Sequence, residues 1–247
     1  MQTDGDAPIL KASHLTKKFG ELVAVNDLSF EVTRGQIFGI AGPNGAGKST
    51  VYNLITGFYP YEGDITLEGR NISGLAPYRI AGLGISRTFQ IPQTFPSLSV
   101  ESSIGVGSRF GDSGGYDPAY VEEIIRFVDL HDHRHQLTGR LSLLDKKKLM
   151  IGAALATRPK ILLLDEPMAG SNATEIKSLM NLIRAINGEL GVTIIIIEHF
   201  MKVLTELTEK LLIIEAGTEI AFGDPKTVTS DPRVCECYLG DSYAERA

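Results

Sequence analysis

The sequence predicts an α/β fold with a mainly parallel sheet, an N-terminal antiparallel β part and an inserted α-helical part. In the second half of the chain, short and continuously apolar segments alternate with segments of helical periodicity, as in proteins whose parallel strands are buried between helices. Residues 9–32 alternate apolar and polar side chains, which is typical of antiparallel strands. From residue 97 to about residue 139 the strand pattern stops and helical periodicity follows.

The predicted elements of the first half are strands, the turns between them, one loop and two helices. Apolar alternation or unbroken apolar character defines the strands, and glycine-rich stretches define the turns and the loop. In order, they are short strands within 9–32 with turns at Phe19-Gly20 and Asn26-Asp27, a strand at 36–41, a helix with Val51, Leu54 and Ile55 on one face, strands at 64–68 and 84–89, a loop at 105–118 and a helix at 120–130.

The second half is predicted to alternate helix and strand more regularly. Its elements are a helix at 149–156, a buried strand at 161–164, a helix at 175–186, a buried strand at 192–197 with a helix after it, and a hairpin of strands 211–214 and 219–222 around Ala216-Gly217. We therefore expect one domain, in which residues 1–90 and 158–247 form the core and residues 91–157 form the inserted helical subdomain.

The composition excludes several classes of protein. Of the 247 residues, 43% are apolar and 22% charged, which indicates a folded chain with a sizeable core. The net charge of −6 is not that of a protein built to bind duplex nucleic acid. The most apolar stretch, residues 192–197, is far shorter than the roughly 20 residues that cross a bilayer, and the first six residues do not resemble a signal peptide. We expect a soluble, intracellular protein.

Cysteine and histidine give little indication of a metal site. Cys235 and Cys237 are the two cysteines of the chain, and one intervening residue leaves them too close for an ordinary disulfide and supplies half a zinc site at most. We expect reduced thiols on a C-terminal helix. His131, His133 and His135 are separated by Asp and Arg, which indicates a solvated turn.

Residues 42–49 carry the strongest functional signal in the sequence. They match the pattern G-x-x-x-x-G-K-[ST] without a mismatch, between a buried strand and the start of a helix. Glycines let backbone N–H groups curl around phosphate oxygens, and the helix N-terminus adds the positive end of its dipole. Lys48 can reach the β- and γ-phosphates, and the Ser49 hydroxyl is a suitable ligand for Mg²⁺. The predicted nucleotide-binding residues are Gly42, Pro43, Asn44, Gly45, Ala46, Gly47, Lys48, Ser49 and Thr50.

Two adjacent carboxylates follow the apolar strand at 161–164. Asp165 ends that strand and Glu166 comes next, so both are expected at the edge of the sheet where ligands of α/β proteins bind. Asp165 would hold Mg²⁺, directly or through water, and Glu166 is a candidate general base that polarises an attacking water. Together with the glycine-rich loop, these residues predict a P-loop NTPase core.

Taken together, these motifs resemble the ATP-binding cassette (ABC) ATPases, and the resemblance covers nearly the whole chain. It implies binding and hydrolysis of ATP with Mg²⁺. Gln90 matches the glutamine that in this family approaches the metal and the attacking water, and His199 matches the switch histidine that contacts the γ-phosphate. Phe19 lies where the family stacks an aromatic ring on adenine, and residues 169–172 lie where a loop crosses the dimer interface.

The signature segment departs from the family pattern. Leu-Ser-Gly-Gly-Gln is replaced by Leu141, Ser142, Leu143, Leu144 and Asp145. The serine, which can bond a phosphate oxygen, is retained, but both glycines that permit close backbone approach are lost, and a negative charge is added. Because the signature of one subunit completes the phosphate site of the other in this family, we hypothesise that the chain works best opposite a different ATPase subunit.

A finer resemblance is to the ATPases of branched-chain amino-acid uptake systems. It rests on the segments 85–90 and 197–201 and on the ending 231–240. It implies an importer subunit at the cytoplasmic face of the inner membrane, with membrane-spanning permease subunits, a second ATPase subunit and, indirectly, a solute-binding protein as partners. The alternatives are an export ATPase of the lipopolysaccharide type and a regulatory subunit that binds ATP at a degenerate site. A DNA-repair ATPase is disfavoured because the long insertion usual there is missing.

Overall fold

The structure is a computed structural model that describes residues 7–111 and 115–244. The chain divides into two units. The first unit runs up to Pro77 and resumes at Thr193, and the second unit is Tyr78–Val192. The predicted division into a core of residues 1–90 and 158–247 and a helical subdomain of residues 91–157 stays a prediction.

Strands and helices alternate along most of the chain. The strands are β1 (Pro8–Phe19), β2 (Leu22–Thr33), β3 (Ile37–Ala41), β4 (Glu62–Leu67), β5 (Arg70–Asn71), β6 (Ile85–Arg87), β7 (Ile161–Asp165), β8 (Thr193–Ile197), β9 (Lys210–Glu215) and β10 (Thr218–Gly223). The α-helices are α1 (Lys48–Ile55), α2 (Pro77–Gly82), α3 (Val100–Arg109), α4 (Pro118–Phe127), α5 (Leu143–Leu155), α6 (Ala173–Leu190), α7 (Met201–Leu207), α8 (Pro225–Thr229) and α9 (Pro232–Ala244). Short 3₁₀ helices span His131–His133 and Thr138–Arg140.

The first unit contains an antiparallel sheet in the order β2-β1-β4-β5. β1 ends at Phe19 and Gly20 adopts a φ of 58°, which confirms the predicted turn at Phe19-Gly20. The predicted turn at Asn26-Asp27 is wrong, because both residues lie inside β2. Asp27 has a φ of 51° at a register shift against β1, so a β-bulge absorbs the extra residue and the strand continues. The expected short strands are therefore two strands of 12 residues each.

Four further strands of the first unit lie in the order β10-β9-β3-β8. β3 pairs in parallel with both β8 and β9, and all residues of β3 and β8 are buried. This burial explains their unbroken apolar sequences, because a strand covered on both faces has no solvent-facing positions. Ala216 and Gly217, both at positive φ, connect β9 to β10 in the predicted hairpin. The α/β class with a mainly parallel sheet and an antiparallel β part is confirmed.

The second unit combines the parallel pair β6 and β7 with the helices α3 to α6. The predicted loop at 105–118 is wrong in its first part, since α3 continues to Arg109. One of its glycines serves close packing: a Cβ at Gly107 would lie 2.0 Å from the Ala153 carbonyl oxygen of α5. Glycine in a sequence usually favours a loop, and here it allows two helix backbones to approach each other.

Capping residues determine where the helices of the second unit begin. The three predicted helices, α4, α5 and α6, start before their predicted ranges because a polar side chain satisfies first-turn N–H groups. Asp117 accepts from Tyr120 N ahead of α4, and Ser142 accepts from Asp145 N ahead of α5. Asn172 forms a capping box with Glu175 at α6.

In the part of the chain that the structure describes, no helix is both long enough and apolar enough to cross a bilayer. The 18-residue helix α6 illustrates this, because it is amphipathic and buries one face. The residues on that face are Leu179, Met180, Ile183 and Ile186.

The contact between α3 and α5 predicts opposite effects for two Gly→Ala substitutions in helices. Gly107→Ala forces a methyl group onto a backbone oxygen 2.0 Å away, and we expect it to lower the free energy of unfolding by about 2 kcal/mol or more. Gly188→Ala in α6 meets no atom within 4 Å and should raise stability by about 0.5–1 kcal/mol, because alanine favours the helix. Urea denaturation measures both, and similar effects of the two would contradict this packing.

Candidate functional site

The glycine-rich loop lies between β3 and α1 in the first unit, as predicted. Gly42 has a φ of 153°, and a Cβ there would lie 2.0 Å from the Ile214 carbonyl oxygen. Gly47 has a φ of 103°, and a Cβ there would lie 2.3 Å from the Ala24 carbonyl oxygen. Any side chain at these two positions would collide with backbone, so the curled conformation of the loop requires glycine.

The Lys48 side chain folds back over the concave side of this loop. Its Nζ donates to the carbonyl oxygens of Gly42 at 2.7 Å and Pro43 at 2.9 Å, and the residue is 7% exposed. A lysine ammonium is therefore fixed at the loop rather than extended into solvent. The two carbonyl contacts pre-position its charge, which is the property needed for binding phosphate oxygens.

The start of α1 adds hydrogen-bond donors to the same loop. Gly47 is the N-cap residue and offers no side chain to the first-turn N–H groups, so these donors and the positive end of the helix dipole face the loop. Asn44, Gly45 and Ser49 are exposed, and Ser49 occupies the first turn of α1. This donor set, with the buried Lys48, fits the phosphates of a nucleotide.

Asp165 ends β7 in the second unit, and its carboxylate is paired with Arg87 of β6. Arg87 Nη2 donates to Asp165 Oδ2 at 2.7 Å, and the two side chains are 8% and 7% exposed. Sequence reasoning missed Arg87 as a partner. The available signal was an arginine within a strand of otherwise small or apolar residues, because a buried guanidinium requires a carboxylate or other acceptor.

The structure brings Gln90 and Glu166 together. Gln90 Nε2 donates to Glu166 Oε2 at 2.7 Å. Glu166 has a φ of 45°, a left-handed conformation that is uncommon for residues other than glycine. This conformation lies directly after Asp165, which ends a buried strand and is bonded to Arg87 through its carboxylate. The two neighbouring acids thus have separate partners.

Ser142 makes its hydrogen bonds within its own segment. Its Oγ accepts from the Asp145 N–H at 3.1 Å and donates to Asp145 Oδ2 at 2.7 Å. The carboxylate of Asp145 therefore lies at the N-terminus of α5, which is where a helix favours negative charge. Leu143 is 46% exposed beside it. Sequence reasoning identified the lost glycines but missed this reciprocal contact.

A buried lysine connects α5 to the segment that follows β7. Lys147 is 2% exposed, and its Nζ donates to the Ala169 carbonyl oxygen and, at 2.8 Å, to Ser171 Oγ. The segment it holds is the predicted interface loop at 169–172. Because Lys147 lies within a run of three lysines, the sequence alone does not indicate that the middle one is buried.

His199 and Phe19 both lie at strand ends in the first unit. His199 is the second residue after β8, its side chain is 46% exposed, and its backbone N–H donates to Oε2 of the fully buried Glu198 at 3.3 Å. Phe19 ends β1 and is 42% exposed. Both rings are thus accessible to a ligand.

Comparisons with known proteins identify the family and agree with the fold. Residues 25–169 match the ABC transporter family. The chain therefore belongs to the ABC transporter family, whose ATP-binding subunits are ATPases, and the resemblance inferred from the motifs is confirmed.

Individual relatives that match nearly the whole chain give a narrower similarity than the family does. BraF of Pseudomonas aeruginosa, a high-affinity branched-chain amino acid transport ATP-binding protein, is 35% identical over 95% of this chain and 99% of its own length. LivG of Escherichia coli K12, which carries the same description, is 33% identical with the same coverage. A crystal structure of an ABC transporter cassette in its ADP conformation has a TM-score of 0.86 and 32% identity, over 95% of this chain and 99% of that one.

The Arg87–Asp165 pair predicts a large stability effect. Arg87→Met leaves a buried carboxylate without its counter-charge, and we expect a loss of about 3–5 kcal/mol in the free energy of unfolding. Arg34→Met is the matched control, because Arg34 also pairs with a carboxylate, that of Glu68, but its side chain is 56% exposed. Its loss should be about 1 kcal/mol or less.

Urea denaturation of the protein without nucleotide measures both variants. Arg87→Met combined with Asp165→Leu should regain most of the lost stability, since removing both charges leaves no unpaired group. Equal losses for Arg87→Met and Arg34→Met would contradict the burial of this ion pair.

Proposed function

We propose that this chain is the ATP-hydrolysing subunit of an ABC importer for branched-chain or other amino acids. The names of the relatives that match 95% of its length support the transported class. The observation that carries the proposal of hydrolysis, rather than binding alone, is the hydrogen bond that holds Glu166 against Gln90. A regulatory subunit without turnover has no need of an oriented carboxylate at this position.

The proposed ATP ligands are those of the glycine-rich loop. Backbone donors of residues 42–49, the Lys48 ammonium and the first turn of α1 bind the phosphates, while Thr50 follows them in the helix and Phe19 stacks on the base. Mg²⁺ neutralises phosphate charge when bound, and the residues proposed to hold it are Ser49, Gln90 and Asp165.

In the proposed reaction, Glu166 is the general base. One carboxylate oxygen is fixed by the Gln90 amide, and the carboxylate accepts a proton from the attacking water. The water oxygen bonds to the γ-phosphorus as the bond from that phosphorus to the bridging oxygen of ADP breaks. His199 contributes a contact to the γ-phosphate. Glu166, Gln90 and His199 are thus the proposed catalytic residues.

The proposed assembly places ATP between two ATPase subunits on the cytoplasmic face of the inner membrane. Binding closes the pair, hydrolysis reopens it, and the region around Gln90 transmits the motion to membrane-spanning permease subunits. A solute-binding protein would deliver the amino acid to the permease. The Ser142–Asp145 contact supports a different second ATPase subunit, because the retained serine already bonds to a carboxylate of its own segment.

The alternative of an export ATPase of the lipopolysaccharide type shares the same ATP chemistry and differs in its membrane partners. Co-purification of the assembled complex distinguishes them, since an importer brings a permease pair and responds to a solute-binding protein. The alternative of a regulatory subunit is tested by Glu166→Gln.

Glu166→Gln should lower steady-state ATP hydrolysis of the assembled transporter by at least about 100-fold when only this subunit is changed, because the general base is lost. Affinity for ADP should stay within about twofold, since the phosphate ligands are unchanged. Glu189→Gln, which removes the same charge from an exposed position of α6, is the control and should retain full activity. Turnover that survives Glu166→Gln would show that Glu166 is not the base and that this subunit is regulatory.

The signature segment gives a second test. We expect the isolated chain to hydrolyse ATP slowly, and we expect the combined substitutions Leu143→Gly, Leu144→Gly and Asp145→Gln to raise its rate at least about tenfold. These changes restore close backbone approach and remove a negative charge beside the phosphate. Full activity of the unchanged chain on its own, with no increase on adding a second ATPase subunit, would contradict the weakened signature.

A further inference from the structure

Two aromatic rings of the first unit form a corner at the end of β1. The rings of Phe19 and Tyr59 have centroids 5.2 Å apart and planes at 86° to each other. They are 42% and 39% exposed. We call this pair the aromatic corner. The perpendicular contact limits how the Phe19 ring can turn, so it fixes the plane on which a flat heteroaromatic group would stack.

A lysine holds one side of the aromatic corner. Lys17 Nζ lies 4.8 Å from the Phe19 centroid and 5.5 Å from the Tyr59 centroid, within the range of cation–π attraction to both. The same Nζ donates to the Pro60 carbonyl oxygen at 2.8 Å. This hydrogen bond ties β1 to the segment that follows α1, so the relative position of the two rings is fixed by three separate contacts.

The aromatic corner lies on the hairpin that reaches the glycine-rich loop. Phe19 pairs with Leu22 across the β1–β2 turn, and Ala24 follows two residues later. The Ala24 carbonyl oxygen is the atom that a Cβ at Gly47 would approach to 2.3 Å. The hairpin end and the loop are therefore neighbours within one unit.

We propose that Tyr59 and Lys17 are positioning residues for the adenine base, which contacts Phe19. The proposal rests on the proposed ATP-binding function and extends it to residues outside the matched motifs. Tyr59 holds the Phe19 ring through its perpendicular contact, and Lys17 holds both rings through its charge and its bond to Pro60. We expect Tyr59 and Lys17 to affect the affinity for the base and not for the phosphates, because none of these contacts involves the loop at 42–49.

Calorimetric titration of the full chain with ADP and, separately, with inorganic pyrophosphate tests the proposal. Tyr59→Ala should weaken ADP binding about threefold to tenfold and leave pyrophosphate binding within about twofold. Tyr59→Phe keeps the ring and should bind both ligands as the unchanged chain does. Lys17→Met should weaken ADP binding about threefold, again without effect on pyrophosphate. Tyr78→Ala removes a tyrosine that is 72% exposed in the second unit, and it is the control.

Two outcomes would overturn the proposal. ADP affinity unchanged in Tyr59→Ala would show that the aromatic corner does not position the base. Equal weakening of ADP binding and pyrophosphate binding would show a general structural role. If Tyr59→Ala folds poorly, Tyr59→Leu replaces it, because leucine fills the space without supplying a ring. Failure of the proposed ATP-binding function gives a different result: Lys48→Ala would then leave the binding of both ADP and pyrophosphate unchanged.

Discussion

Strand β9, strand β2 and the turn between β9 and β10 all contact the glycine-rich loop. The conformation of this loop depends on their close approach. The loop contacts β9 at Ile214 and β2 at Ala24 at distances that exclude a Cβ. The β9–β10 hairpin completes the arrangement, since Gly217 N–H donates to the Ala46 carbonyl oxygen and Asn26 N–H donates to that of Gly217. Backbone packed this tightly cannot adjust to a side chain, so the conformation of the loop proposed to bind phosphate is built into the fold.

The second unit separates two adjacent acids by giving each its own partner. Asp165 is buried with the Arg87 guanidinium, whereas Glu166 is partly exposed and receives the Gln90 amide. An ion pair fixes the first carboxylate strongly, and a neutral amide orients the second without opposing its charge. Neighbouring acids with different surroundings can take different roles, as the roles proposed for Asp165 and Glu166 require.

Sequence reasoning identified the parts of the molecule where local chemistry determines structure. The loop at 42–49 and the buried strands were predictable because glycine spacing and unbroken apolar runs have few alternative interpretations. The bulge at Asp27, the glycines of α3 and the Ser142–Asp145 contact were not, because each depends on which segment packs opposite. Arg87 and Lys147 belong to the same class: a charged residue reveals its partner only when the fold brings the two together.

The bulge in β2 also has a consequence for encounters between copies of the chain. β2 is the outer strand of its sheet, and an uninterrupted edge of 12 residues would offer backbone hydrogen bonds to a strand of another molecule. At the bulge, Asp27 and His14 both adopt positive φ and bond to each other through their side chains at 2.7 Å. The ladder is thereby kinked and a charged group projects from it, which disfavours edge-to-edge aggregation during folding and storage.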